Sequence, residues 1–95
     1  MDTESKLREA VGVALDRLAS IARSNNAKEL EVKVGEMQKT VQAAVGDLAF
    51  VMLRRMCAFM QEDSLVSLAG LEHMGTSPPD SCLLETKFRY KVHGV

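Results

Sequence analysis

Tryptophan is missing from this chain, and one tyrosine, three phenylalanines and two prolines are spread over 95 residues. So few aromatic side chains beside abundant Ala, Leu and Val favour helices over sheets. Excess charge of either sign is missing too. Twelve Lys/Arg against thirteen Asp/Glu leave a formal charge of −1, so no global field draws the chain to nucleic acid or to a membrane. Any nucleic-acid function has to come from segregating charge onto one face. No run of about 18 apolar residues occurs, and Met1-Asp2-Thr3-Glu4 lacks the basic and apolar regions of a secretory leader, so membrane insertion and secretion are not expected. Cys57 and Cys82 fit no CxxC or Cys/His metal spacing, and two cysteines make no disulfide framework; reduced thiols in an intracellular protein are the expectation.

What is present is helical periodicity. Over residues 3–23 the apolar positions Leu7, Val11, Ala14, Leu15, Leu18, Ile21 and Ala22 form one stripe of a 3.6-residue helix. Ser24-Asn25-Asn26 interrupts the stripe, and Asn26 followed by Glu29 resembles a capping box that starts a second helix. From residue 27 to about 61 there is no proline, and Leu30, Val34, Met37, Val41, Ala44, Leu48, Met52 and Phe59 keep a helical spacing, with Arg55 in the missing slot. The spacing predicts one long helix containing Gly35 and Gly46, each of which costs about 1 kcal/mol relative to Ala. Met37, Met52, Met56 and Met60 follow that stripe or its edge, as core methionines do.

Asp63 or Ser64 can cap a short third helix over residues 65–73, which Gly75 ends. Thr76-Ser77-Pro78-Pro79-Asp80-Ser81 breaks the helix, and Phe88, Tyr90 and Val92 then alternate with Lys87, Arg89 and Lys91. That last run is either an edge strand or a loose basic tail, with the tail favoured.

The expected fold is therefore all-α. A helical domain spans residues 1–75 and a flexible tail residues 76–95. A chain this short buries only about 60–65% of its unfolded surface, and the first helix is too short to cover the long one, so an apolar stripe stays open. An antiparallel homodimeric four-helix bundle closes it, with Leu30, Val34, Met37, Val41, Leu48, Met52 and Phe59 in the dimer core.

No catalytic constellation is visible. His73 and His93 have no carboxylate at a fixed spacing, and phosphate loops, HExxH and GxSxG are all absent, so neither enzyme activity, a metal, a cofactor nor a small-molecule substrate is expected. A binding surface is the alternative. Winding residues 27–61 at 100° per residue puts Lys28, Lys39, Gln42, Gly35, Gly46 and Leu53 in one strip opposite the apolar stripe, extended by Arg54. Lysines on phosphates, an amide near a 2′-hydroxyl and bare glycine backbone suit a polyanionic duplex. Glu29, Glu36 and Asp47 flank the strip, and an ordinary solvated helix face is the plainer account. On the first helix Lys6 and Arg17 stand eleven residues apart on a second common line.

The first helix, the Asn25-Asn26 turn, the segment Leu53-Arg54-Arg55-Met56 and Glu62-Asp63-Ser64-Leu65-Val66-Ser67-Leu68 together resemble the nodavirus RNA-silencing suppressors. The resemblance covers roughly residues 5–71. It implies a homodimeric helical bundle in the host cytoplasm that binds double-stranded RNA without sequence preference and shields it from Dicer and from silencing complexes. By position it implies RNA contacts from Lys28, Lys39, Gln42 and Arg54, with Arg17 or Lys6 on the first helix. The competing expectation is a helical adaptor whose apolar stripe meets a different protein.

Overall fold

A computed structural model describes residues 3–47 and 51–94. The first helix forms as its periodicity predicts. It is α1 (Thr3–Ser24), and it buries Leu7, Val11, Ala14, Leu15, Ala19 and Ala22 while leaving Ile21 exposed. Asn26, at φ 56°, ends it: its N–H donates to the Arg23 carbonyl at 3.0 Å, and the Ala27 N–H donates to the Ala22 carbonyl at 2.8 Å. These are the two bonds of a Schellman motif, with Asn in the left-handed position that Gly more often takes. Asn26 therefore closes the first helix and does not cap a second.

The remaining described elements are β1 (Glu29–Lys33), α2 (Val34–Val45), α3 (Leu53–Met60), α4 (Asp63–Leu68), β2 (Leu71–Ser77) and β3 (Lys87–Val92). The expected all-α four-helix bundle is thus overturned by an α+β fold with a three-stranded antiparallel sheet in the order β1-β3-β2. Residues 27–61 are not one helix. They begin as a strand because Leu30, Val32 and Val34 also alternate at a period of two, and β3 supplies matched partners: Leu30 lies opposite Tyr90 and Val32 opposite Phe88. Nor is the C-terminal run a loose tail or an edge strand. β3 is the central strand.

Local signals set the boundaries of the helices. Val34 and Gly35 open α2 by donating N–H bonds to the Thr86 and Leu84 carbonyls at 2.9 and 2.8 Å, so the loop before β3 does the work of an N-cap. Gly46, at φ 67°, ends the helix, where a side chain would be strained. α4 stops at Leu68, five residues before the expected end, because Gly70 turns the chain at φ 76° into β2.

All helices that meet the sheet cover one face of it. β3 alternates exposed and buried along its length, and Phe88, Tyr90 and Val92 are each no more than 3% exposed. They pack with the α1 stripe, Val34, Met37 and Val41 of α2, Met56 and Met60 of α3, and Leu65 and Val66 of α4. The Tyr90 hydroxyl donates to the Met60 carbonyl at 2.6 Å inside this core, and burial raises its pKa far above the ordinary value.

The residues expected to form a dimer core are spent within the chain. Val34, Met37, Val41 and Phe59 are buried in it and Leu30 and Met52 pack against it, whereas Leu48 lies outside the described residues. The cysteines also depart from expectation. Cys57 of α3 and Cys82 of the β2–β3 loop form a disulfide, their Cα atoms 6.2 Å apart and within bridging range. Sequence spacing carries no information on such proximity. The bridge spans a sequence separation of 25, for which loop entropy gives roughly 3–4 kcal/mol.

Candidate functional site

The predicted basic strip does not survive as one surface, because the helix that would carry it ends at Val45 and begins only at Val34. Lys28 is exposed just before β1, and its carbonyl accepts the Val92 N–H at 2.9 Å. Gly35 is not bare backbone: a Cβ there would meet the Leu84 carbonyl oxygen at 3.0 Å. Gly46 lies in open space at the end of α2, and Gln42 is half-buried. Arg54 lines a separate open cavity of about 760 Å³ with Cys57, His73, Pro79 and Cys82. Of the predicted strip Lys39 stays on the exposed face of α2, while Arg54, also exposed, is carried by the separate helix α3.

The pair from the first helix is brought together. Lys6 and Arg17 both line an open groove of about 420 Å³ between α1 and α2. Its α1 wall also carries Glu9, Ala10, Val13 and Ala14, and its α2 wall is Thr40, Ala43, Ala44 and Val45. Lys39 is the neighbour of Thr40 and lies one turn before Ala43 on the same helix. Sequence reasoning missed the alanine wall. Ala43-Ala44 is visible in the sequence, but its place beside Lys6 and Arg17 depends on how α2 packs against α1.

The groove's electrostatics differ from those of the sheet. Among the described residues the ion pairs join Arg8 to Glu62, Arg55 to Glu4, Lys87 to Glu31 and His93 to Glu72, and none of them uses Lys6, Arg17 or Lys39. Those three cations are free to meet an outside anion, with Glu9 as the groove's carboxylate. The Thr40 hydroxyl donates to the Glu36 carbonyl at 3.2 Å, which leaves its oxygen lone pairs to accept a bond from a ligand.

The histidines stand apart from the groove. His73 Nε2 shares a hydrogen bond with Thr76 Oγ1 at 3.1 Å, and its ring centroid lies 5.4 Å from that of Phe88 and 5.7 Å from that of Tyr90. Loss of solvent lowers its pKa, opposed by a backbone hydrogen bond at Gly75 and by the charge of Asp63. His93 Nε2 is 4.0 Å from a Glu72 carboxylate oxygen. Among the described residues no group of three or more His, Cys, Asp or Glu side chains is placed to hold a metal ion.

Phe59, Phe88 and Tyr90 are all buried, so among the described residues no aromatic ring is presented to solvent near the groove. What the groove offers a ligand is positive charge at two points about 16 Å apart along α1, a hydroxyl acceptor and a smooth floor of small side chains. Comparison with known proteins returned no matching family model, no similar curated protein and no similar solved structure. Among the described residues no helix is long and apolar enough to cross a membrane.

Proposed function

We propose that this chain is a non-enzymatic binding protein for double-stranded RNA and that the α1–α2 groove is its contact surface. The observation that carries the reading is the pair of cations Lys6 and Arg17, neither of them in an ion pair among the described residues, flanking an alanine-walled groove. Two cations spaced along one helix meet two phosphates rather than one, and alanines let a backbone approach closely. The Thr40 hydroxyl oxygen supplies an acceptor for a 2′-hydroxyl, the group that separates RNA from DNA.

The ligand form follows from what the surface lacks. Sequence-tolerant binding of single strands relies on aromatic platforms on which bases stack, and every described aromatic ring belongs to the core. A duplex recognised by its phosphates and 2′-hydroxyls needs no such platform. The shielding of duplex RNA from Dicer comes into this reading only from the likeness of residues 5–71 to nodavirus silencing suppressors, whose implied helical bundle is not the fold of this chain.

Mobility-shift titrations of duplex RNA, duplex DNA and single-stranded RNA at several salt concentrations test the proposal. Duplex RNA is expected to bind best, irrespective of sequence. Replacing Lys6 and Arg17 together with Ala removes two phosphate contacts, which should lower the slope of log affinity against log salt by about 2. Wild-type slope in that variant, or equal binding of single strands, overturns the reading and leaves the groove as a protein-docking surface.

A further inference from the structure

β1 lies at one edge of the sheet, so one side of its backbone has no strand beside it among the described residues. The hydrogen-bond ladder tells which groups face that side. The Val92 N–H donates to the Lys28 carbonyl and the Val34 N–H to the Thr86 carbonyl, both at 2.9 Å. Bonded pairs alternate along an antiparallel ladder, so Lys28, Leu30, Val32 and Val34 turn their peptide groups toward β3. Glu29, Glu31 and Lys33 turn theirs outward.

The opposite edge is protected in ways that this one is not. β2 shifts register between His73 and Gly75 and is followed directly by Pro78 and Pro79, both of which discourage a strand from adding there. β1 keeps an unbroken register with β3 over its full length.

The edge is complementary to itself. When two β1 strands run antiparallel with Glu31 on the two-fold axis, Glu29 faces Lys33 of the second copy, Leu30 faces Val32, and Lys33 faces Glu29. The backbone requires a register of this parity, because only then do the outward-facing peptide groups of Glu29, Glu31 and Lys33 meet one another. Sliding by two residues either way cuts the five-residue overlap to three. The like charges on the axis are already compensated, since each Glu31 carboxylate has Lys87 of its own chain at 3.7 Å. We infer that β1 is a dimerisation edge, through which two copies of this chain join their sheets into one continuous antiparallel sheet. The inference uses β1 and not the α1–α2 groove, so it stands apart from the RNA reading.

Sedimentation equilibrium of the full chain tests it. Wild type is expected at about twice the chain mass of 10.4 kDa. Lys33→Glu alone and Glu29→Lys alone each turn two attractive cross-strand pairs into repulsive ones, and each should raise the dimer dissociation constant on the order of tenfold. The double variant Glu29→Lys with Lys33→Glu restores attraction in reversed order and should return the constant to near wild type. Circular dichroism of each variant distinguishes lost pairing from lost folding. Glu31→Pro gives a second readout, because it deletes an outward N–H and no bond to β3, and it should weaken the dimer while the sheet signal persists. A wild-type monomer at the highest soluble concentration, or a double variant as weak as the singles, overturns the inference.

Discussion

The two faces of β3 use neighbouring residues for opposite ends. On the inner face Phe88, Tyr90 and Val92 are almost wholly removed from water, and His73 packs across Phe88 and Tyr90. On the outer face Lys87, Arg89 and Lys91 stand in solvent, yet acids surround them: Lys91 lies between Glu29 and Glu72, Arg89 beside Glu31, and Lys87 pairs with Glu31. Three cations in a row on a sheet look like a binding site in a list of residues, but their cross-strand neighbours neutralise them. Among the described residues Lys6, Arg17 and Lys39 form no ion pair, and Glu9 is the carboxylate that shares the α1–α2 groove with Lys6 and Arg17. Pairing, rather than the number of basic residues, distinguishes a surface that can take an anion from one that is merely solvated.

Four substitutions grade this contrast. Phe88→Ala should have the largest effect, because it empties a fully buried ring site at the centre of the sheet; chemical denaturation should show a loss of about 3–5 kcal/mol. A native-like midpoint for that variant would mean that the inner face is not the core.

The second effect is a pH dependence from the inner face. His73 has a folded-state pKa below the ordinary histidine value of about 6.5, so near that pH the folded chain binds fewer protons than the unfolded chain. Its contribution is therefore full above pH of about 6.5 and is lost as the pH falls through the lower folded value. The urea midpoint of wild type should decrease from neutral pH toward mild acid, and His73→Gln should flatten that part of the profile. An unchanged profile would show that protonation of this ring costs the fold nothing.

The smallest effects belong to the outer face. Lys87→Ala removes a half-exposed pair and Arg89→Ala removes an exposed cation opposite Glu31, and each should change stability by no more than about 0.5 kcal/mol. Both should bind duplex RNA as wild type does. A marked loss of RNA binding in either would move the binding surface from the helices to the sheet.

The sequence made some of this architecture readable. The α1 stripe and the break at Asn25-Asn26 are local signals that the structure follows, whereas α4 already starts at Asp63, with Glu62 and not Asp63 or Ser64 in the cap position. The region from Glu29 to Met60 was ambiguous for a physical reason. Leu30, Val34, Met37 and Val41 fit a helix, while Leu30, Val32 and Val34 fit a strand, and only a distant partner in β3 decides between them. The alternation in β3 was plain, but its central place in the sheet depends on β2 and β1 arriving on either side of it. The same holds for the site. The common line of Lys6 and Arg17 could be read from spacing alone, whereas the α2 wall across from them, and the loop carbonyl that occupies Gly35, come from tertiary packing.

The strand order β1-β3-β2 also has a consequence for the chain during synthesis. The strand that occupies the middle in space is the last of the three to be made. β1 and β2 have no bonds to each other, so as the chain grows both wait for β3 with their peptide groups open to water or to other chains. A chain interrupted before residue 87 lacks the one strand to which both β1 and β2 bond, and with it Phe88, Tyr90 and Val92 of the core.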